Sequence, residues 1–405
     1  MNVLFISPGF PAEMPLFARG LASIGVRVIG LGDQPKEALP QDARRSVAEH
    51  IRVSNLWDEK AVVAEIEKRA DRLRLDRIEC LWEPGMLLAA RLRETLGLPG
   101  MTVDETLPFR DKEVMKQRLD AAGIRTPRHR RATNAAEIRV AAEAIGFPLI
   151  VKPIAGAGSL DTYRVDSGSQ LEEVLPKVSK IEELSVEEFI DGEEHTFDTI
   201  CAGGKIEYFN VCWYRPRPLI DRTNEWISPQ TIALRDVDVP ELAGGVEMGH
   251  AVMRALGFTA GFTHMEWFRK PDGEVVFGEI AARPPGARTV DVMNYASDID
   301  TYTGWAEAVC RGTFGQKVER KYNAAVIFKR ARGQGRIRRI SGLERLLAEC
   351  GPDVCHVELA PVGARRRDWR RSLVGDGYVI VRHPDLARLL AIADRFGEEL
   401  QLDAG

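Results

Sequence analysis

The first hundred residues alternate between short apolar, β-branched runs and helical repeats, and this alternation restricts the fold more than any other feature. NVLFIS near the start reads as a strand, PLFARGLASIG carries apolar residues at helical spacing and ends on glycine, and VRVIGLGD returns as a second strand. Glu59 to Arg74 has helical spacing, RIECLWEP reads as a buried strand, and LLAARLRETLG is a helix with Gly97 at its C-cap position. Strands alternating with helices predict a parallel, doubly wound sheet. The loop after the first strand, Ser7-Pro8-Gly9, lacks a G-x-G-x-x-G fingerprint, and Gly30-x-Gly32-Asp33 alone is a common turn. A dinucleotide site is therefore disfavoured, and this unit is expected to contribute one wall of a substrate cleft.

A chain of 405 residues is too long for one hydrophobic core, so further units are expected. Beyond Pro108, RDKEVMKQRLDAAGI reads as an amphipathic helix ending at Gly123, followed by Thr126-Pro127 and a second helix from Ala135 to Ile145. FPLIVKP is a short strand carrying one lysine, and IAGAGSL is a glycine-rich turn. From Ser185 to Gly312 the pattern favours strands around one long helix, Glu241 to Leu256. The remainder opens with a strand, Ala324 to Phe328, and closes with the helix DLARLLAIADRFGEEL. The 56 basic and 60 acidic side chains leave a net charge of −4, which gives no general attraction to nucleic acid or anionic membrane. The start reads as a strand and not a signal peptide, and no stretch approaches the roughly 20 apolar residues of a membrane span. The six scattered cysteines include no C-x-x-C pair, and free thiols in the cytoplasm are expected.

Three segments can carry chemistry. Lys152, at the end of a buried strand and followed by Gly156-Ala157-Gly158-Ser159, makes a phosphate site, because backbone N–H groups of a glycine loop can approach phosphate oxygens while the ammonium supplies charge. The plain alternative is a lysine snorkelling out of a strand end. GFTHMEWF and EVVFGEIAA read as a hairpin turning at Lys270-Pro271-Asp272-Gly273. With Arg269 facing Glu274, Glu266 faces Phe277, and Glu279 lies diagonal to Glu266 on the same face at roughly 7–8 Å between Cα atoms. His264 and Arg283 fall on that face too. Two acids there are costly unless paired or metal-bound, and hard oxygen ligands point to Mg²⁺ or Mn²⁺. The third segment, VEEFIDGEEH, carries Glu187, Glu188 and Glu194 and would by itself read as solvated.

In this order, RDKEVMK with AGIRTP, PLIVKP with GAGS, VEEFIDGEE, and HMEWF with GEIAARPPG resemble the ATP-grasp superfamily, nearest its carboxylate–amine ligases and biotin-carboxylase-like members. The resemblance implies mixed α/β and α+β architecture: a Rossmann-like domain over 1–108, an ATP-grasp fold over 109–312 with a mobile lid subdomain at about 118–188, and a C-terminal subdomain over 313–405. It implies that Lys112 and Lys152 neutralise phosphate oxygens, that Gly156, Gly158 and Ser159 form the lid loop, and that Glu187, Glu188, Phe189 and Ile190 are the adenine hinge. Glu194 matches the ribose acid, Glu266 and Glu279 the metal ligands, and Arg283 the arginine that steadies the phosphoryl group or the substrate carboxylate. With Lys112 and Lys152, Arg283 is the implied catalytic set. One departure stands out: the usual Glu-x-Asn reads Glu279-Ile280-Ala281, and alanine ligates nothing.

The implied activity is ATP-dependent joining of a small-molecule carboxylate to an amine through an acyl phosphate, with ATP and Mg²⁺ (or Mn²⁺) as cofactors. Partners are small molecules, without nucleic acid or membrane, and a homodimer is compatible with this reading. The Arg- and aromatic-rich segment FNVCWYRPRPLIDRTNEW offers Arg215, Arg217 and Trp226 as substrate contacts, together with Arg288, although surface arginines on a loop are the plainer reading of each. Rival readings are a carboxylase or purine-pathway enzyme that activates bicarbonate or formate, an ATP-binding regulator without turnover suggested by Ala281, and RNA binding by the Arg-rich C-terminal patches.

Overall fold

The computed structural model describes residues 1–156 and 161–405. In the N-terminal layer, β1 (Asn2–Ile6), β2 (Arg27–Gly32), β3 (Val47–Arg52) and β4 (Arg77–Glu79) pair in parallel in the order β3-β2-β1-β4. Leu4, Ile6, Ile29 and Leu31 face one apolar cluster while Val3, Phe5 and Val28 face another, so both sides of the sheet are covered. That accounts for apolar runs without polar alternation. Strand order reverses between β1 and β4, which opens a crevice at the carboxyl ends of these two strands.

The helix Met14–Ser23 leaves this layer and crosses the helix Thr301–Arg311. A Cβ at Gly20 would lie 2.4 Å from the Tyr302 carbonyl oxygen, so the approach requires glycine. Phe17 fills the joint, edge-on to Tyr302 at 4.8 Å and to Trp305 at 5.2 Å.

A second sheet holds β5 (His129–Ala132), β6 (Leu149–Pro153), β7 (Tyr163–Val165) and β8 (Leu184–Glu188), antiparallel in the order β5-β8-β6-β7. The helices Ala135–Ile145 and Gly168–Val178 cover one face through Ile138, Ala141, Leu171 and Val174. Asn134 and Ser167 cap them, each side chain accepting an N–H from the first helical turn.

The central sheet contains β9 (Glu193–Ala202), β10 (Lys205–Asn210), β11 (Cys212–Arg215), β12 (Gln230–Ala233), β13 (Gly261–Arg269), β14 (Val275–Ala281) and β15 (Asn323–Lys329). Its order is β14-β13-β9-β11-β12-β15, with β10 on β9, and strands Gly377–His383 and Val354–Leu359 extend it beyond β15. A small sheet of Arg332–Gly333, Gln401–Ala404 and Ile337–Ser341 sits beside it. No helix among the described residues is long and apolar enough to cross a membrane.

Three expectations change. The helical stretch from Glu59 divides into Glu59–Glu67 and Ala70–Leu73, with Arg74 in the left-handed region at φ 48°. The long helix, Pro240–Leu256, is joined by the helices Thr289–Ser297 and Thr301–Arg311. TVDVMNYAS is a poor helix former, yet Val290, Val292, Met293 and Ala296 are buried, so packing outweighs propensity. Finally, the hairpin register shifts: Arg269 pairs with Val275 and Trp267 with Phe277, then one extra residue, Gly278, lies on β14 and Glu266 pairs directly with Glu279. The acids are opposite each other, not diagonal. A Cβ at Gly278 would stand 2.8 Å from the Glu266 carbonyl oxygen, so glycine permits this bulge.

Candidate active site

A cavity of about 570 Å³ lies between the second sheet, the central sheet and the β1 and β4 ends of the N-terminal layer. Its inner wall begins with the helix Lys112–Ala121, whose N-cap Asp111 accepts the N–H groups of Glu113 and Val114. Residues four apart share a helix face, so Lys112 and Lys116 both turn inward and are buried. Glu113 is held by His129 Nδ1 at 2.8 Å and Ser185 Oγ at 2.6 Å, which ties the helix to the second sheet.

Lys112 Nζ lies 3.4 Å from Glu279 Oε2, and Lys152 Nζ lies 3.6 Å from the same oxygen. The two lysines thus converge on one carboxylate. Lys112 also donates to the Gly156 carbonyl at 2.6 Å. Burial alone would raise the Glu279 pKa, but the two ammonium groups pull it down to about 2. Glu187 accepts Lys116 at 2.5 Å and Lys152 at 3.0 Å. Despite burial, these cations hold its carboxyl well below the usual range, and the same acids outweigh burial to raise Lys152. Lys116 differs: burial dominates and lowers its pKa.

Opposite Glu279, Glu266 is backed by a relay from the neighbouring strand. Thr196 Oγ1 donates to Asp198 Oδ2 at 2.6 Å, Asp198 Oδ1 meets His264 Nδ1 at 2.6 Å, and His264 Nε2 lies 3.4 Å from Glu266 Oε1. Burial opposes the imidazolium, but Asp198 and Glu266 raise its pKa to about 9. Arg283 Nε donates to Glu83 Oε2 at 2.9 Å, and Arg110 pairs with the other oxygen of Glu83. Glu83 follows β4, so the N-terminal layer aims this arginine pair.

Phe189 and Ile190 line the cavity, as does Glu188, whose N–H donates to the Arg128 carbonyl at 2.8 Å and whose carboxylate is tied to Arg125 at 3.2 Å. Arg217 lies between the Phe189 and Phe268 rings, 4.9 and 5.0 Å from their centroids, and donates to the Ile190 carbonyl at 2.9 Å. Its Nε is 3.5 Å from Glu194 Oε2 and makes no hydrogen bond. Burial, then the nearby Glu266, push the Glu194 pKa up to about 8.

The structure brings Lys112, Lys152, Gly156, Glu187, Glu188, Phe189, Ile190, Glu194, Arg217, Glu266, Glu279 and Arg283 to one cavity. Gly158 and Ser159 lie outside the described residues. Three expected substrate contacts are placed elsewhere. Trp226 is 78% exposed on the loop before β12. Arg215 is bound to Asp394 at 3.1 Å and Gln230 at 3.0 Å, which ties β11 to the last helix. Arg288 turns toward Asp291 and Glu358, both at 3.5 Å, and stacks over Tyr378. Sequence reasoning missed Lys116, Glu83, Arg110 and Asp198. Only Lys116 left a signal, its four-residue spacing from Lys112.

Two facing carboxylates are hard oxygen donors that fit Mg²⁺ or Mn²⁺. Ala281, paired with His264, adds no ligand, and no cluster of three or more His, Cys, Asp or Glu suited to a metal occurs among the described residues. Glu266 and Glu279 are the residues that would hold such an ion.

Residues 22–100 match the family model of the ATP-grasp N-terminal domain, and residues 109–221 match that of the ATP-grasp domain. The chain is 29% identical over 241 residues to the L-arginine-specific L-amino acid ligase of Bacillus subtilis, covering 58% of this chain and 57% of that one. It is 32% identical over 171 residues to the formate-dependent phosphoribosylglycinamide formyltransferase of Erythrobacter litoralis, covering 40% and 42%. The chain thus spans under two thirds of the length of these curated relatives. The crystal structure of an L-amino acid ligase from Bacillus licheniformis superposes with TM-score 0.82 at 21% identity, over 100% of this chain and 98% of that one, a likeness of fold.

Proposed function

We propose, because the chain belongs to the ATP-grasp superfamily, that it is an ATP-dependent ligase joining a carboxylate, of amino-acid type, to an amine. The observation that carries this reading is the convergence of Lys112 and Lys152 on Glu279 with Glu266 directly opposite. Similarity to amino-acid ligases supports the substrate class.

In this reading Lys112 and Lys152 bind phosphate oxygens, while Ile150 and Phe268 supply apolar surface for the base and Glu194 faces the ribose. Glu266 and Glu279 would hold Mg²⁺, which would supply compensation for the negative charge of the triphosphate. A carboxylate oxygen of the acid bonds to the γ-phosphorus as the bridging P–O bond breaks, and ADP leaves. The amine nitrogen then attacks the acyl carbon, phosphate departs with its electron pair, and the nitrogen loses a proton. Arg283, held rigid by Glu83, stabilises the charge on the transferred group. No protein nucleophile is needed. Positioning and preorganised charge carry the rate.

The test is ADP release with pools of amino acids, bicarbonate or formate. Amino-acid dependence supports the ligase. Bicarbonate or formate dependence favours the second reading, which the formyltransferase similarity motivates. Tight ATP binding without turnover in any pool favours the regulator.

A further inference from the structure

Resting on the ligase reading, we propose that one of the joined substrates is an amino acid with an aromatic side chain, seated on Phe10 and Trp82 with Trp57 behind them. The three rings come from three loops at the carboxyl ends of parallel strands, after β1, β4 and β3. Phe10 and Trp82 meet edge to face at 5.9 Å, and Trp57 meets Trp82 edge to face at 5.2 Å. The first two flank the point where strand order reverses, which is where open α/β sheets receive ligands.

Phe10 and Trp82 line the same cavity as Arg283, and Trp82 directly precedes Glu83, the residue that holds Arg283. The wall that positions the reacting carboxylate is therefore continuous with the aromatic surface. Phe10 is 58% exposed and Trp57 62% exposed. A bound flat side chain covers ring surface that is otherwise hydrated, and aromatic pairs favour the tilted contacts already present among these rings. Met14, Leu81 and Pro84 continue the apolar lining.

Charge discriminates between side-chain classes. Glu83 is neutralised by Arg110 and Arg283. Glu13, the other acid this layer gives to the cavity, accepts the Arg288 N–H at 3.2 Å. Glu83, directly after Trp82, is therefore not left to pair with a cationic side chain lying on the rings, whereas Glu13, bonded among the described residues only to a backbone amide, keeps its charge; beside Trp82 an apolar aromatic group thus fits better than a guanidinium or ammonium.

The experiment has a binding arm and a turnover arm on the full chain. Saturation-transfer NMR with L-phenylalanine, L-tryptophan, L-alanine and L-arginine is run on the protein loaded with Mg²⁺ and a non-hydrolysable ATP analogue. Signal concentrated on the ring protons of phenylalanine and tryptophan, and lost in Phe10→Ala and Trp57→Ala, is expected; both side chains are exposed, so folding should survive. ADP release should show kcat/KM for L-phenylalanine falling about tenfold or more in either variant, a larger loss than for L-alanine. Stronger saturation or turnover with L-arginine or L-alanine overturns the proposal, as does a loss that is equal for all substrates or absence of amino-acid binding. Ring-proton saturation without ADP release under any condition would leave the aromatic subsite standing and sink the ligase reading instead.

Discussion

Glu266 and Glu279 face each other directly across the β13–β14 hairpin because Gly278 is an extra residue on one strand only. Unbroken alternation from the Trp267–Phe277 pair would have set Gly278 opposite Glu266 and turned Glu279 to the other face of the sheet. The bulge brings both carboxylates to the cavity wall that Lys112 and Lys152 approach.

Glu279→Gln should therefore remove turnover by about two to three orders of magnitude while leaving most nucleotide affinity in place. Steady-state ADP release and calorimetric titration with ATP check the two halves. If turnover survives, the carboxylate is not a metal ligand. Gly278→Ala should fail by another route, since its Cβ meets the Glu266 carbonyl oxygen at 2.8 Å, and a destabilisation of about 1–3 kcal/mol is expected in urea melts.

Lys116 is fully buried against Glu187, which Lys152 also holds. Lys116→Met should lower stability by about 3 kcal/mol, since removing one partner of a buried pair leaves charge poorly compensated. It should also raise the KM for ATP, because Lys152 is then drawn harder onto Glu187. Chemical denaturation and ATP saturation curves measure both effects.

Arg217 stacks between Phe189 and Phe268, its Nε ion-paired with Glu194 at 3.5 Å without a hydrogen bond. In the proposed reading that position is on the nucleotide side of the cavity. Arg217→Ala should raise the KM for ATP about tenfold, the scale of a desolvated cation–π contact, with little change in amino-acid KM. The opposite pattern would return Arg217 to the substrate.

His129 stands between Glu113 at 2.8 Å and Asp120 at 3.0 Å. Burial disfavours its charged form, but the two carboxylates prevail and raise its pKa above 6.5. A raised folded-state pKa gives stability that is fully present below 6.5 and is lost as pH rises through the higher folded value. The melting-temperature gap between wild type and His129→Gln should therefore be widest near about pH 6 and narrow toward about pH 9. A gap that is flat with pH would mean that the pairing does not form.

The hairpin turn and the helix Ala135–Ile145 were legible in the sequence because turn chemistry and apolar period are local signals. The bulge was not, since nothing in EVVFGEIAA marks Gly278 as an insertion and not as one step of alternation. Helix Thr289–Ser297 escaped because burial against the sheet, invisible in one dimension, overrides a β-branched composition. The lysines and acids that converge on the cavity were singled out through motif order, whereas Glu83 and Asp198 act across 200 and 66 residues of chain, to Arg283 and His264. The loop before β12 showed the reverse failure: its arginines and tryptophan advertised binding, yet composition says nothing about direction, and Trp226 points to solvent.

The backbone-to-backbone crossing at Gly20 and Tyr302 bears on how such a protein can be recombined. It welds the layer that carries the aromatic loops to the body that carries the acids. A chimera that imports the first hundred residues from a relative must also match the groove along Thr301–Arg311, or the donor loops will arrive displaced from the reaction centre. If the aromatic subsite is as proposed, side-chain preference and assembly are inherited together.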